Sequence, residues 1–195
     1  MENTVERIIK ENYIIFTGGP GSGKTSLLDE LQRRGMNTVA EVGRKIIREQ
    51  MASGGNAVPW DDAGAYAHKM LECATEDYEK YSELPDVWLF DRGIPEIWGY
   101  ERLIGLYSAP ELIEACQNIR YYETVFILPP WAEIFENDRE RKQYFQEAVA
   151  TYNMMCEVYR EMDYKLIEVP CMKIKRIADF VASALSKLFC LAFLT

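Results

Sequence analysis

The sequence predicts an α/β fold in which a parallel sheet lies between two layers of helices, a three-layer sandwich. Three observations carry that expectation. Short apolar runs at 13–17, 87–90 and 124–128 are continuous rather than alternating, as strands buried on both faces must be. Stretches of helical period separate the runs, so each strand is followed by a crossover to a parallel neighbour, right-handed by default. Between the first run and the first helical stretch lies Gly18-Gly19-Pro20-Gly21-Ser22-Gly23-Lys24-Thr25, which satisfies G-x-x-x-x-G-K-[ST] at every fixed position. Strand, loop, helix is the setting that this pattern requires.

The loop predicts a binding site for a nucleoside triphosphate. Its four glycines allow positive φ and a close approach of backbone to ligand. Successive N–H groups then form a concave anion nest at a helix N-terminus, where the macrodipole adds favourable field. Gly18 to Thr25, with Ser26 behind them, would cradle the phosphates of ATP; Lys24 would reach the β- and γ-phosphates and the Thr25 hydroxyl would hold Mg²⁺.

Bulk properties narrow the classes. A chain of 195 residues is expected to form a single domain, residues 1–195, with a core that needs no disulfides. With 31 acidic residues against 22 basic ones and a net charge of −9, a sequence-independent grip on nucleic acid is not expected. The five cysteines are odd in number and contain no C-x-x-C pair, which points to a reducing, cytoplasmic setting rather than a disulfide framework or zinc site. No cationic start followed by an apolar stretch is visible at the N-terminus, and the apolar run 188–194 is too short to span a bilayer. Homodimerisation is left open.

The remaining elements follow in order. Residues before 12 form a short amphipathic lead-in. Arg33-Arg34-Gly35 ends the first helix with basic residues in its last turn and a glycine stop. A short second strand at 37–40 places Glu41 at its carboxyl end, and a helix from Val42 puts Glu41, Arg44 and Arg48 on one face. That face either lines the ligand crevice or is a solvated charged surface. After the break at 53–56, Asp61 and Asp62 stand in the first turn of a third helix running to about Tyr81. Its stripe Tyr66, Met70, Ala74 and Tyr78 has core spacing, and His68, the only histidine, has no second ligand near it.

Residues 87–90 form the third strand, with Asp91-Arg92-Gly93 at its tip. An aspartate ending a buried strand downstream of such a loop supplies the second contact to Mg²⁺, and Arg92 beside it is positioned for a phosphate or substrate oxygen. Helices follow at 94–106 and 110–120, the latter opened by a capping box at Ser108. The fourth strand is 124–128. The most charged stretch, Glu136 to Gln143, lies before the last strand at 165–170, where a phosphotransferase carries a lid (136–147) whose Arg139 and Arg141 close over the transferring group. A solvated helix start is the bland alternative. A helix over 175–189 closes the chain.

Among the chemistries that use such a loop, a guanine-specific switch should carry N-K-x-D, and no such tetrapeptide occurs. A hydrolytic motor should place glutamate directly after Asp91, where Arg92 stands. A small ATP-dependent kinase fits better. The competing reading is a slow ATPase acting as sensor or partner-binding protein without a small acceptor.

The combination of the glycine loop, Glu41, Asp91-Arg92-Gly93 and Asp138-Arg139-Glu140-Arg141-Lys142 resembles the P-loop nucleoside and nucleotide kinase superfamily. More narrowly, most of the chain resembles a family of short AAA-domain ATPases related to the ribosylnicotinamide kinase half of the nicotinamide-nucleotide regulator. The resemblance implies a P-loop NTPase fold with a five-stranded parallel sheet in the order 2-3-1-4-5 and an acceptor pocket over strands two and three. It further implies that Glu41 is the base for an acceptor hydroxyl, that Asp91 and Arg92 form the acidic-arginine pair, and that the acceptor is a small nucleoside- or nucleotide-like molecule. Gly93 departs from the pattern, since those kinases more often have serine or a ring residue there.

Overall fold

A computed structural model of the chain describes residues 7–134 and 145–189. In chain order these form β1 (Ile8–Ile9), β2 (Tyr13–Gly18), α1 (Lys24–Arg33), β3 (Asn37–Val39), α2 (Val42–Ser53), α3 (Ala63–Lys80), β4 (Trp88–Asp91) and α4 (Pro95–Leu103). They continue with α5 (Pro110–Asn118), β5 (Ile119–Arg120), β6 (Thr124–Leu128), α6 (Phe145–Glu161), β7 (Lys165–Glu168) and α7 (Ile174–Phe189).

The main sheet is parallel throughout, in the order β3-β4-β2-β6-β7. Numbered by its own five strands, this is 2-3-1-4-5. A second, two-stranded sheet was not foreseen: the lead-in contributes β1, which pairs with β5. Pairing at Arg120 also shortens the fifth helix, which stops at Asn118 instead of 120.

Alternation along the central strand explains the two layers of helices, because successive side chains point to opposite faces. Tyr13 and Ile15 join Phe90, Val125 and Ile127 in a core under α2 to α6. Ile14 and Phe16 join Leu89, Phe126 and Leu128 in a core under α1 and α7. Phe16 and Phe126 stack across neighbouring strands with centroids 5.0 Å apart, a geometry that contributes about 1 kcal/mol beyond area burial.

Three local expectations are corrected. Ser108 does not cap α5; Ala109 is the N-cap residue without a side-chain bond, and Ser108 instead bonds the buried Glu101 carboxylate. Asp62 caps α3 from outside, accepting a bond from the Ala65 N–H at 2.8 Å, so no aspartate lies in the first turn. The fourth helix ends at Leu103, three residues short of Leu106, where Gly105 at φ 70° turns the chain away. His68 is exposed, and no helix among the described residues is long and apolar enough to cross a membrane.

Candidate active site

The site is built where β2, β3 and β4 end. β2 delivers the chain at Gly18 into a loop whose left-handed Gly21 (φ 70°) and Gly23 (φ 86°) fold it back onto the start of α1. Gly18 and Gly19 serve a different need, close approach of backbone. A Cβ on Gly18 would lie 2.5 Å from the Leu128 carbonyl oxygen, and one on Gly19 would collide with the Ala148 carbonyl of α6. Gly23 is the N-cap residue of α1 and offers no side-chain cap, so the first-turn N–H groups keep their capacity for an anion. Ser22 Oγ is buried without a hydrogen-bond partner, while Thr25 and Ser26 are exposed.

Lys24 is buried and donates from Nζ to the Gly18 carbonyl at 3.3 Å, so it folds back along the loop. Burial pushes its pKa down and the neighbouring Arg92 charge adds to this, with Asp91, Glu41 and Glu96 opposing. The arrangement is a buried ammonium whose desolvation outweighs the pull of three carboxylates, and phosphate oxygens would add to that pull.

Asp91 ends β4, buried, with Oδ1 unpartnered. Desolvation pushes its carboxyl up, and Glu41 adds to the effect against the pull of Lys24 and Arg92. Arg92 follows with φ 79°, a left-handed backbone that costs about 1–2 kcal/mol for a residue with a Cβ. Three hydrogen bonds and a further ion pair hold it there. Its backbone N–H donates to the Phe16 carbonyl at 3.0 Å, and Nη2 donates to the Gly18 carbonyl at 3.3 Å. Nη1 meets Glu96 Oε1 at 2.9 Å and Nε meets Glu41 Oε1 at 3.3 Å. Burial opposes its charge, but Glu96, Glu41 and Asp91 outweigh that and hold its pKa above the ordinary value.

Glu41, at the N-terminal boundary of α2, also meets Arg44 Nε at 3.5 Å. Arg48 turns its Nε to the Arg44 carbonyl and is exposed, so the expected three-residue face divides into an ion pair and a solvated arginine. Sequence reasoning missed Glu96, the buried carboxylate at the centre. It accepts from Thr17 Oγ1 at 2.6 Å, from Gly93 N–H at 2.8 Å and from Tyr159 OH at 3.4 Å as well as from Arg92. Its position five residues after Asp91 was the only available signal. Gly93 has a steric reason, since a Cβ there would lie 2.5 Å from Ile15 Cδ1.

From this cluster a cavity of about 620 Å³ extends between α2, α3, α4 and α6. Pro20, Glu41, Asp91 and Arg92 stand at one end, and Tyr66, Met70, Ala74 and Asp77 of α3 form one wall. The stripe read as core spacing is buried, and most of it lines a ligand-sized space. Arg139 and Arg141, with most of the expected lid, lie outside the described residues; Glu147, its last residue, lines the cavity from α6. No group of three or more metal-ligating side chains occurs among the described residues, so Mg²⁺ here would rest on Thr25, the free Asp91 oxygen, phosphates and water, as this ion prefers.

A family model described as an AAA domain matches residues 13–176. No curated protein matches the chain. Among solved structures, the deoxyadenosine kinase from M. mycoides with products dCMP and a flexible dCDP bound aligns with a TM-score of 0.64 at 14% identity, over 90% of this chain and 99% of that one. The same enzyme with bound dATP gives 0.54 at 13% identity, over 89% and 98%. The NadR protein in complex with NR gives 0.70 at 13% identity over 98% of this chain, which spans 53% of that protein. These are likenesses of fold.

Proposed function

The chain belongs to the AAA-domain family, and from that premise we propose that it binds ATP with Mg²⁺ and transfers the γ-phosphoryl group to a hydroxyl of a small nucleoside- or nucleotide-like acceptor. The observation that carries this reading is the cavity of about 620 Å³ that opens directly onto the glycine loop, walled at that end by Glu41, Asp91 and Arg92. Hydrolysis needs room for one water at that point; a cavity within the size range of small-molecule sites suits an acceptor. The similar folds of a kinase solved with dATP and of a protein solved with NR support the same reading.

Phosphoryl transfer asks the protein for position and charge rather than covalent chemistry. In this proposal Gly18 to Ser26 hold the phosphates, and Lys24 turns from the Gly18 carbonyl to the β- and γ-oxygens. Thr25 and Asp91 hold Mg²⁺, which when bound would neutralise charge between those phosphates. Glu41 accepts the acceptor's proton late in the transfer, its orientation fixed by Arg92 and Arg44. Arg92 faces the entering oxygen, and Arg139 and Arg141 supply lid cations.

The test is ADP production from Mg·ATP, with and without nucleosides, nucleoside monophosphates and ribosylnicotinamide. Stimulation by one compound together with its phosphorylated product supports the proposal. Slow turnover indifferent to every acceptor would move the assignment to an ATPase acting as sensor or partner-binding protein.

A further inference from the structure

We propose that the cavity selects an acceptor whose flat ring carries an amino group, and that Asp77 is the residue that selects it. The inference deepens the kinase reading and rests on it only in taking the same cavity as the acceptor's.

α3 presents Tyr66, Met70, Ala74 and Asp77 to the cavity at intervals of four, four and three residues, a single helical face. Tyr66 marks the phosphoryl end: a Cβ on Gly43 would lie 2.5 Å from the Tyr66 hydroxyl and 3.5 Å from Glu41 Oε1. Asp77 stands eleven residues further on, about 16 Å along the helix axis at 1.5 Å per residue. Between them the walls are apolar and aromatic. Phe90 and Tyr121 pack edge to face at 5.5 Å, Tyr66 and Tyr100 at 5.7 Å, and Ile97 and Leu103 are among the apolar lining. Such walls accept a flat ring through its faces and edges.

The other charged groups that line the cavity among the described residues are Glu41, Asp91, Arg92, Glu96 and Glu147, which belong to the strand tips, α4 and α6. Asp77 is therefore the charged group of the α3 wall. Its carboxylate is half-buried and has no hydrogen bond or ion pair with any described residue. Burial pushes its pKa up, while the charges of Lys45 and Lys80 oppose and Glu76 adds to the burial effect. A lone carboxylate beside aromatic walls gains most from a donor carried on the ring, and it repels an acceptor that presents a carbonyl there.

The test is calorimetric binding to the full chain saturated with Mg²⁺ and a non-hydrolysable ATP analogue. The probes are adenosine against inosine and cytidine against uridine, pairs that exchange an amino group for a carbonyl. The wild type is expected to bind at least one amino member about tenfold more tightly than its partner. That preference should fall in Asp77→Asn and shrink to within about twofold in Asp77→Leu, with the affinity for the ATP analogue unchanged in both. No binding by either amino probe, no amino preference, or a preference that persists in Asp77→Leu overturns the inference. Product formation is read separately. Amino preference lost in Asp77→Leu without any phosphorylated probe would uphold recognition and sink the transferase reading; product without amino preference would do the reverse.

Discussion

Arg92 Nη1 and Glu96 Oε1 lie 2.9 Å apart in a buried pair that spans the tip of β4 and the first turn of α4. The pair does more than balance charge, because Arg92 sits in a left-handed backbone that nothing intrinsic favours. Glu96→Gln keeps the shape and removes the charge, leaving a buried guanidinium short of counter-ion. We expect a loss of about 3 kcal/mol, hence a Tm lower by roughly 6–12 °C, and a fall in kcat. Thermal unfolding checks the first, steady-state kinetics the second; an unchanged Tm would remove Glu96 from the positioning role.

Glu41→Gln separates chemistry from binding. If Glu41 takes the acceptor's proton, kcat falls about 10²- to 10⁴-fold while ATP affinity stays within about twofold. A large loss of ATP affinity with kcat retained would make Glu41 a structural partner of Arg92 and Arg44.

Lys24→Ala removes an ammonium whose charge is disfavoured by burial and by Arg92. The folded chain should survive without it and melt no lower than wild type. Fluorescent ATP-analogue titration should find binding reduced beyond detection, and normal turnover in this variant would defeat the nucleotide-site assignment.

Asp91→Asn should raise stability and abolish the response to metal. Burial holds the Asp91 carboxyl above its ordinary range, so the folded state binds that proton more tightly than the unfolded chain does. Stability then falls as pH rises from the ordinary carboxyl range through the folded value, and the ionised group is a burden at pH 7. Without nucleotide, the Tm of Asp91→Asn at pH 7 is expected above wild type, with the gap closing toward pH 4. Mg²⁺ should raise the Tm of the ATP-bound wild type and leave the ATP-bound variant unmoved. A variant that melts lower at pH 7 would mean that Asp91 is a stabilising partner of Lys24.

Gly93→Ala drives a methyl group to within 2.5 Å of Ile15 Cδ1, so the buried Ile15 side chain must shift. A loss of about 1–3 kcal/mol is expected. Ile15→Val in the same chain should recover part of it, since it removes the colliding atom. Equal melting of the single and double variants would place the strain elsewhere.

What could be read in advance divides along a physical line. Gly18 to Thr25, Glu41 and Asp91 were legible because each is defined locally, by a contiguous motif or by the end of an apolar run. Glu96 was not, because what makes it unusual comes from afar: Thr17 is 79 residues away in sequence and Tyr159 is 63. Helical periodicity located the buried face of α3 but could not say that Tyr66, Met70 and Ala74 cover a cavity, since burial against protein and burial around a ligand leave the same spacing. The two-residue strands β1 and β5 were too short to carry any period.

Gly19 packs backbone to backbone against Ala148 of α6, and the next residues of that helix, Ala150, Thr151 and Met155, wall the cavity. The phosphate loop and the cavity thus meet the same helix. A ligand that shifts α6 alters the loop's affinity for its own ligand, and by thermodynamic reciprocity a ligand on the loop alters the cavity's affinity by the same factor. Filling of either compartment is therefore expected to be felt in the other, whichever fills first, through a contact that only a residue without a side chain permits.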